Sequence, residues 1–474
     1  MILAAACALA GCIDLAPRYQ RPANPTPASF PAGPAYAPPP AADVAPVGWQ
    51  DFFSDPKLKR VIAEALANNR DLRIAVANIE AARAQYHVQR AALFPTITAN
   101  ASATYGQEPV SVVTGGAVAP GQSGVYNERL YSLTAGFSAW QLDFFGKIRN
   151  LTKAAQEQYF ATRQARDEAQ LTLVDEVATD YLTLASDRSL LAIAQATLTS
   201  SQASLDLTQA RLNAGVASGL DVAQAKTTVE QARYDLARLT TQVAQDRNAL
   251  ELVVGAPVAD ADLPPALDGE VVVMDRLPAA VSSTVLLKRP DVLQAEDVLR
   301  GANANIGAAR ANFFPDISLT ANGGLTSLAL SSLFKGASAT WSFIPSASQT
   351  LFDFGANKGN LALAKAQRDL DVAQYEKAIQ TAFREVADAL AQRGTIDEQV
   401  AAQAALTEAN HQDFDLATAR YQRGADTYLN VLIAQRGYYA AQQTLVTTRL
   451  ARSLNLVTLY DVLGGGLDAP ANGG

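Results

Sequence analysis

The sequence predicts a mainly α-helical protein that also carries membrane-spanning β-strands, built as two copies of one structural repeat. Three observations predict this fold: four segments alternate with a period of two, very long segments without Gly or Pro carry apolar residues seven apart, and the whole pattern recurs in the second half of the 474 residues. Hydrophobic residues make up 49% of the chain but aromatic residues only 7%, which favours closely packed helices over a bulky globular core.

Composition argues against several classes of function. The formal net charge is −8 with no basic stripe, so no nucleic-acid partner is expected. The two cysteines, Cys7 and Cys12, lie in the first dozen residues, and the only histidines are His87 and His411, so neither a disulfide framework nor a histidine metal site is expected. The sequence shows no phosphate-binding loop and no thiol nucleophile in the mature chain. No catalytic residue, metal or cofactor is therefore assigned.

The N-terminus is interpreted as a lipoprotein signal peptide covering residues 1–11. Its almost wholly apolar stretch ends in Leu9-Ala10-Gly11-Cys12, which resembles a bacterial lipobox, in which Cys12 is acylated, although no Lys or Arg precedes the stretch. Ile13 follows where Asp would signal retention in the inner membrane, so the resemblance implies sorting to the outer membrane. Residues 12–50 are rich in Pro and predict an extended, lipid-anchored arm, with a disordered tether as the alternative.

The first repeat is predicted to span residues 51–265. It opens with a helical pattern without Gly or Pro over residues 57–94, which Pro95 ends. Two strands follow, at about 96–106 and about 129–141, each as long as a tilted strand that crosses a bilayer. Apolar residues alternate there with Ser, Thr and Asn, and these apolar residues are Ile97, Ala99, Ala101, Ala103, Tyr105, Tyr131, Leu133, Ala135, Phe137 and Ala139.

A long helical hairpin completes this repeat, at about 146–255. No Gly or Pro occurs between Lys147 and Ala214, which allows about 100 Å of unbroken helix. The chain turns at residues 215–219 and returns. Apolar residues seven apart predict a coiled-coil seam on both arms: Val177, Leu184, Leu191, Leu198, Leu205, Leu212, Val222, Val229, Leu236, Val243 and Leu250.

The second repeat is predicted to span residues 282–463. The motif Arg90-Ala91-Ala92-Leu93-Phe94-Pro95 reappears as Arg310-Ala311-Asn312-Phe313-Phe314-Pro315. Strands are expected at about 316–326 and about 339–351. A second helical hairpin is expected at about 355–463, turning at Gly424, and residues 464–474 are expected to form a flexible tail.

Four strands cannot form a stable membrane barrel by themselves. Single-chain barrels have at least eight strands, and every unpaired backbone group in lipid costs several kcal/mol. No apolar run reaches the roughly 18 residues that a transmembrane helix needs, so a membrane span would have to consist of strands. Closure therefore requires several chains: two would supply eight strands and three would supply twelve. The helical hairpins would continue such a barrel as a tube.

Several motifs resemble those of a known family. Arg289-Pro290-Asp291-Val292 precedes a longer motif over residues 306–319, and another motif lies near the N-terminus: Trp49-Gln50-Asp51-Phe52-Phe53-Ser54-Asp55-Pro56-Lys57-Leu58. On these residues the chain resembles the TolC family of outer-membrane efflux factors, in the lipoprotein branch that includes OprM and NodT-like proteins. The resemblance covers essentially the whole mature chain.

This resemblance implies a homotrimer, with a twelve-stranded β-barrel in outer-membrane lipid that is continued by an α-helical barrel. It implies the outer membrane of a Gram-negative bacterium as the location. The implied function is a passive exit duct for drugs, small toxic molecules or metal ions. An inner-membrane RND-type pump would drive export through a periplasmic adaptor, a membrane fusion protein.

The resemblance also implies that the two helical turns are the adaptor-docking and gating tips. The residues concerned are Arg211, Gly215, Ser218, Asp221, Arg420, Gly424, Thr427 and Asn430. Family members often carry carboxylates where Asn430 and Ile433 stand, so the second turn is expected to be uncharged and Asp221 to be the only acid. A gate that works by charge and a gate that works by apolar constriction both remain open.

Three alternatives are weighed against this function. The same fold could export proteins in a type I secretion system. A periplasmic coiled-coil scaffold or adaptor would not need four alternating segments of membrane length. An enzyme could use Asp143 and Asp353 as a carboxylate pair, but their equivalent positions in the two repeats favour a structural role.

Overall fold

The computed structural model describes residues 13–36, 48–109, 125–267 and 282–465. The predicted signal peptide, Cys12, the loop between the first two strands and residues 466–474 lie outside these ranges. The chain divides into two compact units, and each unit draws on both halves of the sequence. Unit 1 comprises residues 1–21, 80–161 and 296–373, and unit 2 comprises residues 22–79, 162–295 and 374–474.

The same order of elements occurs twice along the chain. A short helix or helices precede two strands, and two long helices follow them. The α-helices are α1 (Trp49–Phe52), α2 (Pro56–Asn68), α3 (Arg70–Ala91), α4 (Lys147–Asn213), α5 (Gly219–Val254), α6 (Pro290–Ala311), α7 (Ala356–Gln422) and α8 (Tyr428–Val462). The strands are β1 (Thr98–Pro109), β2 (Val125–Gln141), β3 (Asp316–Ser327) and β4 (Ala339–Ser348). Short 3₁₀ helices occupy Ser283–Lys288, Leu330–Ser332 and Gly336–Ser338. Within the described ranges, none of the helices combines the length and apolar character that crossing a membrane requires.

Unit 1 contains one antiparallel sheet with the strand order β1-β2-β3-β4. The register keeps residues of one kind on one face across all four strands. Ala101 lies opposite Leu133, which lies opposite Leu325, and Leu325 lies opposite Ala339. On the other face the hydroxyls of Ser102 and Ser132 are 2.8 Å apart. The alternation in the sequence therefore produces one continuous apolar face and one polar face.

A bulge in β2 changes one residue of the predicted apolar row. The pairing of β2 with β3 shifts between Phe137 and Trp140, and Ala139 between them has a φ of 50°. An extra residue in one strand reverses the alternation beyond it. Trp140 therefore takes the place on the apolar face that the sequence assigned to Ala139, and its ring lies 5.9 Å from that of Phe137.

The helix predicted over residues 57–94 is two helices, α2 and α3, both of which begin in unit 2. They are separated at Asn69, which has an extended ψ of 138°. Its side chain accepts a hydrogen bond of 2.8 Å from the Leu72 amide, and its Nδ2 donates to the Val253 carbonyl at 2.7 Å. The helical pattern did not reveal this division, because Asn caps a helix start without any Gly or Pro.

The core of unit 2 explains the N-terminal motif of the resemblance. Phe52 stacks on Tyr460 with 4.3 Å between ring centroids, and both rings are buried. Asp55 caps α2 by accepting from the Lys57 amide at 2.8 Å, and its second oxygen accepts from the Tyr181 hydroxyl at 2.8 Å. The apolar side of α2 faces the same core, through Leu58, Val61, Ile62 and Ala65. The motif therefore stabilises the fold of unit 2.

The Arg289-Pro290-Asp291 motif also has a structural role in unit 2. Arg289 is 6% exposed, and its guanidinium binds both oxygens of Asp291, at 3.0 and 2.8 Å. It also donates to Glu385 at 2.9 Å and to the Val462 carbonyl at 2.8 Å. A buried guanidinium is stable only when its donors are satisfied in this way.

Asn69→Ala should lower the thermal midpoint of unfolding, because it removes a helix cap and the hydrogen bond to the partly buried Val253 carbonyl. The expected loss is about 2 kcal/mol of folding free energy. Asn68→Ala is the matched control, since among the described residues the side chain of Asn68 bonds only to the Glu64 carbonyl of its own helix. Circular dichroism at 222 nm on heating measures both, and equal midpoints for the two variants would contradict this role of Asn69.

Candidate docking and gating site

Two helical turns of unit 2 carry the site residues predicted from the sequence. Residues 214–218 join α4 to α5, and residues 423–427 join α7 to α8. Gly215 and Gly424 have φ values of 77° and 75°, in the left-handed region that favours glycine. An added Cβ would meet nothing within 4 Å at either glycine. Glycine is therefore favoured here because of the backbone conformation, and not because a side chain would clash.

The two turns close their first helix in the same way. The Val216 amide donates to the Arg211 carbonyl at 2.9 Å, and the Ala425 amide donates to the Arg420 carbonyl at 2.9 Å. This hydrogen bond, from the residue after a left-handed glycine back to the last helical turn, is a common helix C-terminus. The two turns therefore have the same backbone hydrogen bond at the C-terminal ends of α4 and α7.

The turns differ where the second helix begins. Ser218 and Asp221 form a capping box: the Asp221 amide donates to Ser218 Oγ at 3.2 Å, and the Ser218 amide donates to Asp221 Oδ2 at 2.8 Å. Thr427, in the equivalent position of the second turn, makes no side-chain cap. The carboxylate of Asp221 is therefore engaged in holding its own turn.

Asp426 takes over the stabilising role in the second turn. Its carboxylate accepts from the Thr427 amide at 2.8 Å, from Asn430 Nδ2 at 2.6 Å and from Arg420 Nε at 3.0 Å. These bonds, led by that of the Thr427 amide, hold the pKa of Asp426 below its ordinary value. The expectation of an uncharged second turn was wrong, because it considered only residues 430 and 433 and overlooked Asp426.

Arg211 connects the two turns. Its Nη1 donates to the Tyr421 carbonyl at 2.7 Å, and its guanidinium lies 4.4 Å from the centre of the Tyr421 ring. That carbonyl is among the last of α7, where the helix dipole favours a cation. The helix whose end Arg211 stabilises therefore belongs to the other hairpin.

An aromatic cluster packs beneath this contact. The rings of Tyr421 and Tyr428 are 5.4 Å apart in an edge arrangement, and burial, followed by the proximity of Tyr421, raises the pKa of Tyr428 to about 12. The hydroxyl of Thr208 lies 3.4 Å from that of Tyr421. Apolar side chains of both hairpins complete the cluster: Leu205, Ala225, Phe414, Ala417, Val431, Leu432 and Ala434.

Apolar side chains at both turns remain exposed. Val216 and Leu220 lie at the first turn, and Leu429 and Ile433 at the second, and Ile433 is 60% exposed. Exposed apolar residues that gather in one place are typical of contact sites for other proteins. Ile433 therefore presents an apolar surface at the second turn.

Carboxylates along α4 form a feature of unit 2 that the sequence analysis missed. Glu168 and Asp175 are seven residues apart, and the pKa of each is raised to about 7, first by burial and then by nearby carboxylates such as Asp461. Burial also raises the pKa of Asp461, to about 6. These three carboxylates therefore take up protons, and their part of unit 2 becomes less negative, as the pH falls through neutrality. In the sequence, only the seven-residue spacing of Glu168 and Asp175 indicates that the two carboxylates lie on the same side of α4.

Comparisons with known proteins identify the family of the chain. The family model described as outer membrane efflux protein matches residues 61–256 and, a second time, residues 281–465. A Pseudomonas putida relative, the probable efflux pump outer membrane protein TtgC, is 44% identical over 460 residues, covering 97% of this chain and 93% of that protein. The Escherichia coli cation efflux system protein CusC is 39% identical over 463 residues, covering 97% and 98%.

Solved structures give the same result. The crystal structure of CusC superposes with a TM-score of 0.84 at 38% identity, covering 96% of this chain and all of that one. The open state of the Neisseria gonorrhoeae outer membrane channel MtrE gives a TM-score of 0.84 at 34% identity, covering 96% and 98%. The resemblance to the TolC family and the predicted fold class are thereby confirmed. The chain belongs to the outer membrane efflux protein family.

Proposed function

We propose that this chain is the outer-membrane channel subunit of a tripartite efflux system. One observation carries the proposal: a four-stranded sheet has an exposed apolar face, on which Trp341 is 81% exposed, and is joined to helices of 67 residues. Such a face is stable in lipid and unfavourable in water. The family of the chain and the solved channels that it resembles support the same function.

Three copies of the chain would form the channel. Within the part of the chain that the structure describes, β1 and β4 each pair on one side only. A homotrimer joins β4 of one copy to β1 of the next and closes a barrel of twelve strands, which leaves no edge in lipid. The sequence alone left two and three copies open, and three is the number that the family resemblance implies.

The relatives support the proposed partners and cargo. The P. putida relative is described as an efflux pump component and CusC as part of a cation efflux system. We propose an inner-membrane RND-type pump and a periplasmic adaptor as partners, and drugs, small toxic molecules or metal ions as cargo. The duct is passive, without a catalytic step or a cofactor. Export of proteins in a type I system is the second candidate.

The proposed function also assigns roles to the N-terminal segment, the two repeats and the C-terminal tail. Residues 1–11 act as the signal peptide, and Cys12 carries the lipid, including palmitate, that anchors residues 12–50 to the outer membrane of a Gram-negative bacterium. Residues 51–265 and 282–463 are the two repeats, and residues 464–474 are a tail. An N-terminal peptide that begins at Cys12 without the mass of an acyl group would contradict the anchor.

The two turns are the surface at which the adaptor docks and the channel opens. The exposed apolar residues Val216, Leu220, Leu429 and Ile433 supply a contact surface, and the bond from Arg211 to Tyr421 holds the second turn against the first. Because Asp221 and Asp426 are engaged within their own turns, we propose that apolar constriction and the Arg211 contact control opening, rather than a ring of free carboxylates.

Gly215→Val and Gly424→Val should reduce efflux without preventing assembly. A β-branched residue is strained at a φ near 75°, so each turn would change shape, whereas open space around the glycine leaves the rest of the fold undisturbed. The minimum inhibitory concentration of an exported drug in a strain lacking the channel gene measures efflux, and native gels measure assembly. The expected fall is on the order of tenfold, for about 1–2 kcal/mol of strain.

Gly215→Asn and Gly424→Asn are the matched controls, because Asn adopts the left-handed conformation more readily than other residues. These variants should keep most of the resistance. Full resistance in the Val variants would show that the turns are not the docking surface.

Arg211→Gln should favour the open channel, because it removes a charged hydrogen bond between the hairpins that is worth about 1.5–3 kcal/mol. Conductance of the purified channel in planar bilayers should rise, with open events about tenfold or more as frequent. Arg420→Gln is the control, since Arg420 bonds to Asp426 within its own turn. Equal conductance of the Arg211 variant and the unmodified channel would contradict the proposed latch.

A further inference from the structure

Residues 13–21 of the N-terminal arm lie along one side of α6 in unit 1. Five residues of α6 meet the arm, at positions 296, 300, 303, 307 and 310, a spacing that places them on one face of a helix. Arg310 Nη1 donates to the Leu15 carbonyl at 2.9 Å, and Asn303 Nδ2 donates to the Pro17 carbonyl at 2.7 Å. The helix thus binds the backbone of the arm. We call these five residues the α6 stripe.

The lengths of the two segments agree. The arm runs antiparallel to the helix, so that Leu15 meets Arg310 and Arg21 meets Glu296. Six residues of extended chain span about 20 Å, and fourteen residues of helix span about 21 Å. An extended arm therefore stays in register with the stripe over its full length.

Glu296 is the polar centre of the stripe. It is 1% exposed and accepts hydrogen bonds from the Tyr19 hydroxyl at 3.1 Å, from Arg21 Nε at 3.1 Å and from Arg300 Nη2 at 2.7 Å. Although burial acts to raise its pKa, the bonds from Arg21 and Arg300 hold it below the ordinary value. Two of these three partners, Tyr19 and Arg21, belong to the arm, so the buried charge depends on the arm for its compensation.

Gly307 provides the space for the arm. A Cβ at this position would lie 2.8 Å from both Ala16 Cα and Ala16 Cβ, and 2.7 Å from Asn150 Nδ2. Distances this short do not occur between such atoms, so any larger residue would displace the arm. The glycine has no role in a turn, because it lies inside α6.

The first residues of the arm also contact the corner between β2 and α4. The Ile13 amide donates to the Phe144 carbonyl at 3.1 Å, and Asn150 Nδ2 donates to the Asp14 carboxylate at 2.9 Å. Phe144 follows the last residue of β2 by three positions. The arm therefore joins an element of the first repeat to an element of the second, at the end of a membrane strand.

We propose that the α6 stripe is a dedicated docking site for residues 13–21, and that docking holds the N-terminal end of the mature chain beside the end of β2. The arm is then a strap between the two repeats and fixes the position of the anchor relative to the strands. The part that concerns the anchor rests on the acylation of Cys12 proposed above, whereas docking itself does not.

Limited digestion of the detergent-solubilised channel with trypsin tests the docking. Cleavage after Arg18 requires several residues around it to leave the stripe, so the rate reports how often the arm undocks. Gly307→Ala should raise this rate on the order of tenfold or more. Gly301→Ala is the matched control in the same helix, because its Cβ would meet the Ala154 carbonyl at an ordinary 3.5 Å.

Arg21→Ala provides a second variant that adds no atom to α6 and removes only a contact of the arm with Glu296. Its cleavage after Arg18 should also be faster than that of the unmodified chain. A Gly307→Ala rate equal to that of Gly301→Ala would overturn the proposal, as would fast cleavage in all the proteins. The mass of the released fragment shows separately whether Cys12 is acylated. An unacylated fragment with slow cleavage would refute the anchor and leave the docking site standing.

Discussion

The arrangement of this protein depends on one constraint, which is the two unpaired edges of its four-stranded sheet. Each edge presents a row of backbone amides and carbonyls, and lipid cannot bond to them. The apolar face that runs through Ala101, Leu133 and Leu325 requires a lipid environment, and the edges require further strands. Both requirements are met together only when copies of the chain close a barrel. The oligomer is thus a condition for the sheet to exist in a membrane.

The two repeats have the same elements but use them differently at the helical turns. The first turn is closed by its own capping box between Ser218 and Asp221, whereas the second depends on Asp426 and on Arg211 from the first hairpin. Under the proposed function, this contact from one hairpin to the carbonyl end of the other would make the second turn the one that opens. The two repeats therefore share their elements but stabilise their turns with different side chains.

Patterns of period and breaker residues predicted the four strands, the long helices and their turns. The period-two segments and the seven-residue seams depend on local geometry, and Gly215 and Gly424 mark the turns because few other residues adopt a positive φ. Local signals that are weaker were missed: Asn69 divides a helix through a side-chain cap, and the bulge at Ala139 leaves no trace in composition. Arg211 and Tyr421 are 210 positions apart, so only the fold brings them together. The same is true of Gly307 and Ala16.

Light scattering, corrected for bound detergent, on protein extracted from isolated outer membranes tests the central claim most directly. A mass of three chains is predicted, because the family resemblance implies a trimer, and its twelve strands close a barrel that leaves no edge of β1 or β4 unpaired. A stable monomer, or a soluble protein absent from the membrane fraction, would contradict the account, since the sheet would then have two open edges and no partner for either.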